Sequence, residues 1–204
     1  MHQKLILSTA YFAPLCYYSE LLKYQDIVLE QYEYFEKQTY RNRCYIYGAN
    51  GRLALIIPIE GRKDKVAMKD IRISYHAPWQ KIHWKSLEAA YRASPYFEYY
   101  MDDFIPYYNK PFTFLLDFNL QLNELILKLL KINKMIGLTS SYQTGIEFKG
   151  VDLRPNYYPG IKPGTLNPPY TQVFDSKHGF IPDLSIVDLL FNKGPEAVKY
   201  LREL

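Results

Sequence analysis

Two ionisable side chains of the sequence lie among apolar residues. His83 belongs to a stretch, 79–93, whose apolar residues recur at helical spacing, so its imidazole should point inward. The ordinary pKa of histidine lies near neutrality, so a pocket position would suit general acid–base catalysis. Asp188 lies on the apolar side of segment 184–191 and needs a buried partner such as Arg43 or His83. We take His83 and Asp188 as candidate catalytic residues, with a structural role as the alternative for each.

A second set of side chains could bind a ligand. Three tyrosines lie in or beside the loop after the first predicted strand, where the start of a helix attracts anions such as phosphate. The cluster Arg41-Asn42-Arg43 could hold a phosphate or carboxylate through charge-assisted hydrogen bonds. Core packing and a solvated charge cluster are the alternatives. The predicted substrate-binding residues are Tyr11, Tyr17, Tyr18, Asn42, Arg43 and Trp84.

The beginning of the chain predicts the element that positions the aromatic loop. Residues 4–8 form a short apolar run, 15–24 carry apolar residues at helical spacing, and 26–30 form another β-rich run. Strand, helix and strand in this order indicate a βαβ unit, in which the two strands pair in parallel.

Further patterns complete an α/β fold. Residues 42–47 and 53–59 flank a Gly/Asn turn and predict a hairpin, and 71–75 predict another strand. Helices are predicted over 79–93 and 113–136. We therefore predict a single domain over 1–204, with a mixed sheet that opens in a βαβ unit and is flanked by helices.

The predicted helix over 113–136 has a polar stripe, and Gly137 follows it as a stop signal. The stripe should be exposed at Asp117, Gln121, Glu124 and Lys128.

The segment 150–169 contains five prolines, so it predicts a long loop and a candidate substrate lid. The apolar residues of 184–191 should pack against the core or a partner, and Asp183 is a candidate cap for their helix.

Composition limits the classes of function. The formal net charge is +4, but 25 basic residues are interleaved with 21 acidic ones, which argues against nucleic-acid binding. No apolar stretch is long enough for a signal peptide or a membrane span, so we expect a cytoplasmic protein. Two cysteines are too few for a cysteine metal site, and no metal or cofactor is indicated. Cys16 could be a nucleophile if a helix N-terminus lowered its pKa; a structural thiol is the alternative.

Several stretches resemble the WbqC-like family. They are Tyr11-Phe12-Ala13-Pro14, Asn42-Arg43, the run from Trp79 through His83 to Pro95-Tyr96-Phe97, and FIPDLSIVDLLFNKGP over 180–195. Where the family commonly has a glutamine before the first aromatic loop, this chain has Ser8-Thr9-Ala10. The similarity extends over nearly the whole sequence.

This resemblance implies a bacterial protein of O-antigen or capsule biosynthesis. A transferase that acts on an activated sugar is the first hypothesis, with a nucleotide sugar or another anionic small molecule as ligand. A non-catalytic binding or assembly protein of the same pathway is the alternative. A family resemblance alone does not establish a reaction, and it leaves the oligomeric state open.

Overall fold

A parallel sheet contains the first strand of the chain at its centre. The computed structural model describes residues 4–61, 65–145, 148–156 and 168–204. The strands in these ranges are β1 Lys4–Ser8, β2 Asp26–Glu30, β3 Arg43–Gly48, β4 Gly51–Ile56, β5 Ile136–Leu138 and β6 Val151–Asp152. Four of them form a sheet in the order β5-β2-β1-β6, and every neighbouring pair in it is parallel.

The βαβ prediction is confirmed. Strands β1 and β2 pair in parallel from Lys4 opposite Asp26 to Ser8 opposite Glu30, and helix α1, Leu15–Lys23, connects them. Residues 5–7 are fully buried, as expected for a central strand covered on both faces.

The antiparallel hairpin is also confirmed, but it forms a sheet of its own. Strands β3 and β4 pair only with each other, and the positive φ of Gly51, 97°, helps the chain to turn between them. The expected mixed sheet is therefore divided into a parallel sheet and a separate hairpin. The reason lies in the outer edges of β1 and β2, which are already paired with β6 and β5.

The strand predicted over 71–75 does not form. This stretch is extended, but it makes only isolated bridges, Ile73 with Ile59 and Arg72 with Phe114. Ser74 donates its N–H to the carbonyl of Pro58, which has no N–H to return and so interrupts a regular ladder.

The helices differ from prediction mainly in their ends. They are α1, α2 Trp79–Tyr91, α3 Phe97–Asn109, α4 Leu115–Leu129, α5 Asp175–His178, α6 Ile186–Lys193 and α7 Ala197–Arg202. Helix α3 was not predicted. Helix α4 ends well before residue 136, because Lys131 adopts a positive φ of 55° and the chain continues into β5. Gly137 is accordingly a strand residue, not a helix stop.

Burial agrees with both side-chain patterns predicted for the helices. None of the four stripe residues of α4 is buried. The apolar side chains of the C-terminal run are all fully buried in the same core cluster as those of β1 and α2, or beside it: Leu184, Ile186, Val187, Leu189, Leu190 and Phe191. None of the helices in the described ranges combines the length and apolar character that crossing a bilayer requires.

Candidate functional site

Polar side chains gather where the parallel strands end. Ser8 ends β1, Glu30 ends β2, Thr139 follows β5 and Asp152 ends β6. Parallel strands bring their carboxyl ends to one edge, and the strand order reverses between β1 and β6, which is where α/β sheets bind ligands. Three further residues complete what we term the edge cluster: Ser8, Glu30, Glu33, Arg41, Thr139, Asp152 and Arg154.

One half of the edge cluster is a buried ion pair. The Nε and Nη2 atoms of Arg41 donate to the two carboxylate oxygens of Glu33 at 2.9 and 2.7 Å. Arg41 Nη2 also donates to Ser8 Oγ at 3.0 Å, and that hydroxyl donates to Glu33 at 3.1 Å. Arg41 and Glu33 are only 4% and 7% exposed. The two parallel hydrogen bonds fix both side chains against the end of β1.

The other half is centred on the fully buried carboxyl group of Glu30. It accepts hydrogen bonds from Thr139 Oγ1 and from the N–H groups of Tyr32 and Gln143, all at 2.8 Å. Arg154 Nη1 lies 3.5 Å from it, while Arg154 Nε and Nη2 donate to Asp152 at 2.9 and 2.6 Å. The edge cluster thus combines three carboxyl groups with two guanidinium groups.

The charge of Arg154 changes the titration of Asp152. Burial acts to raise the pKa of Asp152, but the hydrogen bonds and positive charge of Arg154 more than offset it, so this pKa lies below its usual value. Hydrogen bonds to Asp152, together with the charges of Asp152 and Glu33, raise the pKa of Arg154 although burial opposes them. The Glu33 contribution shows that the two halves of the cluster interact.

The N-terminus of α1, predicted to attract an anion, binds a carboxylate of the protein itself. Asp183 Oδ1 accepts the N–H of Cys16 at 3.0 Å, and the Cys16 thiol donates to Asp183 Oδ2 at 3.3 Å. The N–H groups of Leu15 and Tyr17 bind the carbonyls of Leu184 and Pro14. Backbone donors that could bind phosphate are therefore already used. Asp183 caps α1 rather than α6, whose N-cap is Ser185.

Burial explains the titration of this pair. It raises the pKa of Asp183, although hydrogen bonds from Cys16 and the charge of Arg52 act in the opposite direction. It also raises the pKa of the Cys16 thiol, as does the negative charge of Asp183. The thiol is therefore protonated near neutral pH, which does not fit a nucleophilic cysteine.

Arg52 is an exposed cation in this region. Its Cζ lies 3.7 Å from the centroid of the Tyr45 ring, and it is exposed. Burial raises the pKa of Tyr40, and so does the charge of Asp183, whereas the charge of Arg52 lowers it. Tyr45 connects these residues: its ring centroid lies 6.1 Å from that of Tyr40, and its carbonyl accepts the N–H of Ser185, two residues after Asp183. Asp183 adopts a positive φ of 52°, a strained conformation of the kind that clusters at functional sites. Tyr40 precedes Arg41, which joins this group to the edge cluster.

Two predicted residues, Tyr11 and His83, contact each other in the core. The Tyr11 hydroxyl lies 3.0 Å from His83 Nδ1 and 2.8 Å from the Tyr108 hydroxyl. The inward orientation of His83 is confirmed, since it is 3% exposed. Burial lowers its pKa to about 4, against a hydrogen bond with the backbone of Ile56, so the ring is neutral near pH 7. Its catalytic role stays a prediction.

Three of the predicted aromatic residues also make contacts inside the protein. The hydroxyls of Tyr17 and Tyr18 donate to Ser8 O at 3.1 Å and to Asn123 Oδ1 at 2.9 Å. Trp84 packs on Phe97, with ring centroids 6.0 Å apart. Of the three, Tyr17 lies at the edge cluster.

The Asn42–Arg43 pair lies at the start of the hairpin. Asn42 Nδ2 donates to the carbonyl of Ile57 at 2.8 Å. Asn42 Oδ1 and Arg43 Nε are buried and accept or donate no hydrogen bond within the described part of the chain. Among the described residues, Arg43 makes no hydrogen bond or ion pair with His83 or Asp188, whereas Arg41, two residues earlier, enters the edge cluster.

Asp188 has different partners from those predicted. Its carboxyl group accepts hydrogen bonds from the Tyr91 hydroxyl at 2.9 Å, the Tyr170 hydroxyl at 2.5 Å and Gln172 Nε2 at 2.8 Å. Neither Arg43 nor His83 is among them. Burial raises its pKa, although all three hydrogen bonds act to lower it. Asp188 therefore connects α6 to α2 and to segment 170–172 through hydrogen bonds; its catalytic role stays a prediction.

The candidate lid at 150–169 falls largely on 157–167, outside the described residues.

Sequence reasoning missed most of the edge cluster. Glu30 was visible as the charged last residue of the predicted strand 26–30, the position where parallel strands place ligand-binding groups. Asp152 and Arg154 gave no such signal, because β6 has only two residues. No group of three His, Cys, Asp or Glu side chains suited to a metal occurs in the ranges that the structure describes.

The fold and the site define an α/β protein whose parallel sheet carries a buried polar cluster at its carboxyl edge. The model of the WbqC-like protein family matches residues 9–152 and 161–200. The chain therefore belongs to the WbqC-like protein family, as its sequence motifs indicated. Neither a curated protein nor a solved structure matches it.

Proposed function

We propose that this protein is a cytoplasmic transferase of surface-polysaccharide biosynthesis, in O-antigen or capsule formation, that acts on an activated sugar. Its ligand is a nucleotide sugar, bound over the carboxyl edge of the parallel sheet. The observation that carries the proposal is the edge cluster, where five charged side chains are gathered beside the reversal in strand order.

Physical cost supports a role for this cluster beyond folding. Burying an ion pair costs several kcal/mol per ion in lost hydration, and apolar residues of similar volume commonly stabilise a fold as well or better. Perturbed titration, as at Asp152 and Asp183, also concentrates at functional sites. Carboxylate groups accept hydrogen bonds from sugar hydroxyls, and guanidinium groups donate hydrogen bonds to phosphates.

The arrangement of cations suggests how the ligand is oriented. The N-terminus of α1 is filled by Asp183, so the phosphates have to be bound by a side chain. Arg52 is exposed and stacks on Tyr45, whose carbonyl binds the N–H of Ser185, two residues after Asp183. In this proposal its guanidinium is the phosphate ligand. The raised pKa of Asp183 suits a group that exchanges a proton during transfer.

Thermal shift with uridine, guanosine, thymidine and cytidine diphosphate sugars tests the proposal. A ligand at about 100 times its Kd stabilises the folded state by about 2.7 kcal/mol, which raises the Tm by several degrees for a chain of this size. Arg52→Gln should weaken binding about tenfold, the worth of one charge-assisted contact. Arg72→Gln is the matched control, because Arg72 is an exposed arginine that pairs with Glu60.

Two outcomes contradict the transferase proposal: no nucleotide sugar shifts the Tm, or both arginine variants bind equally well. Exposed tyrosines then favour a non-catalytic binding or assembly protein of the same pathway. Tyr99 is 76% exposed, Tyr34 57% and Tyr142 53%, and aromatic side chains are enriched at protein interfaces. That alternative predicts co-purification with an enzyme of the pathway, which Tyr99→Ser should weaken.

A further inference from the structure

A cleft lies between the turn of the hairpin and helix α2. Its volume is about 610 Å3, within the range of about 300–1,000 Å3 usual for small-molecule sites. On the hairpin side it is lined by Ala49 and Leu53, and on the α2 side by Ile82 and Ala89. Leu53 and Ile82 are 40% and 54% exposed. The cleft therefore presents apolar surface that no described residue covers.

Positive charge lines the same cleft. Lys81 and Lys85, four residues apart, lie one turn from each other on the face of α2 that forms the wall. Lys85 pairs with Glu88 at 3.0 Å, whereas Lys81 has no ion-pair partner in the described part of the chain. Two ammonium groups on the α2 side therefore border the apolar surface of the cleft.

The cleft and the candidate functional site lie on opposite faces of the hairpin. Arg52 and Leu53 are successive residues of β4, so their side chains point to opposite sides. Arg52 contacts Tyr45 and lies near Asp183, while Leu53 lines the cleft. Similarly, His83 points into the core, whereas Lys81 and Ile82 face the cleft.

We propose that this cleft binds an amphipathic anion, a molecule with a hydrocarbon body and a single carboxylate or phosphate head. The body lies on Leu53, Ile82 and Ala89, where its transfer from water supplies most of the affinity. The head lies at the Lys81 ammonium, with Lys85 one helical turn away. A neutral or cationic molecule of the same shape lacks this second contact.

Calorimetric titration of the whole protein with octanoate and with octyl phosphate tests the proposal. With hexanoate and decanoate, below their micelle concentrations, the affinity should change about fourfold per methylene until the cleft is filled. Octanol should bind about tenfold more weakly than the charged probes. Tighter binding of octyl phosphate assigns a phosphate head and tighter binding of octanoate a carboxylate head; both support the proposal.

Two exposed positions separate the charge contribution from the apolar one. Lys81→Glu should weaken both anionic probes about tenfold and leave octanol unchanged. Ile82→Asn should weaken all probes, octanol included, and reduce the change in affinity per methylene. Lys199→Glu is the matched control, because Lys199 is an exposed lysine of α7, and it should bind like the wild type.

The proposal is overturned if octanol binds as tightly as octanoate, if Lys199→Glu weakens binding as much as Lys81→Glu, or if none of the probes binds. Circular dichroism checks that each variant is folded, which we expect because substitutions at exposed positions usually change stability little. Nucleotide-sugar binding is measured separately with Arg52→Gln, so a failure here is distinguishable from a failure of the proposed transferase.

Discussion

Replacing Asp188 by asparagine tests the buried hydrogen-bond network most directly, because it exchanges one carboxyl oxygen for an NH2 group at almost the same volume. The carboxyl group accepts one hydrogen bond at Oδ1, from Tyr91, and two at Oδ2, from Tyr170 and Gln172. Asparagine keeps one acceptor oxygen and replaces the other by a donor. Whichever way the amide is turned, at least one present donor loses its acceptor.

The best amide orientation sets the expected cost. With its oxygen toward Tyr170 and Gln172, the amide nitrogen faces Tyr91, whose hydroxyl already accepts the N–H of Tyr47 at 3.1 Å. The Tyr91 hydroxyl then accepts twice and its own proton has no acceptor. A buried donor without a partner costs about 1–3 kcal/mol, and we expect Asp188→Asn to lower the free energy of unfolding by this amount.

Urea denaturation measures the change, with Asp102→Asn as control. Asp102 is exposed on α3, so its substitution should stay within about 0.5 kcal/mol of wild type. An Asp188→Asn cost as small as that of the control would refute the network.

The pH dependence of the same variant has a defined sign. Burial raises the folded-state pKa of Asp188, so its favourable contribution is complete below the unfolded value of about 3.9 and is lost as pH rises through the folded value. Asparagine does not ionise. The stability gap between wild type and variant should therefore be widest near pH 4 and narrow as pH rises; a gap that widens instead would contradict the dominance of burial.

Three more measurements test other parts of the structure. Glu33→Gln should lower the free energy of unfolding by about 3 kcal/mol, because the buried Arg41 guanidinium loses its two-hydrogen-bond carboxylate and keeps a longer contact of 3.9 Å with Glu36. Glu20→Gln, in an exposed pair, should cost at most about 0.5 kcal/mol; urea denaturation compares the two variants. Cys16 should react with iodoacetamide at pH 8 about tenfold more slowly in the folded than in the unfolded protein, since burial raises its pKa. His83, with a pKa lowered by burial to about 4, contributes stability that is present above the unfolded value of about 6.5 and lost as pH falls toward 4. Its ring proton resonances should accordingly not titrate near pH 6.5.

The sequence correctly predicted the elements whose apolar residues recur with helix or strand periodicity within one short segment. Strands β1 and β2, helices α1 and α2, and the hairpin all follow from periodicity and turn residues within a few positions. The partition into two sheets did not follow, because it depends on β5 and β6, strands of three and two residues from far along the chain. Such strands are too short to carry a pattern of their own.

The site was predicted less well than the fold, for a physical reason. Apolar surroundings in the sequence identified His83 and Asp188 as inward-pointing, and both are buried. Their partners come from tyrosines distant in sequence, and no spacing rule relates them. Arg41 and Glu33 form an ion pair across eight residues with no regular element between them, so neither helix nor strand periodicity could place the two together.

The motifs that resemble the family explain why the site lies where it does. Two of them, the loop around Pro14 and the run around Ser185, form an antiparallel bridge, with the carbonyl of Leu184 accepting the N–H of Leu15. This junction seats Asp183 on α1, and it thereby removes the anion-binding helix end that an α/β sheet usually offers. In the proposed transferase an anionic ligand at this edge has to be bound by side chains, and Arg52, exposed on Tyr45, is the side chain that we propose. The motif residues therefore make structural contacts, and substituting them would affect folding. Arg52 lies outside every motif, so in the proposed transferase its substitution should weaken ligand binding without unfolding the protein.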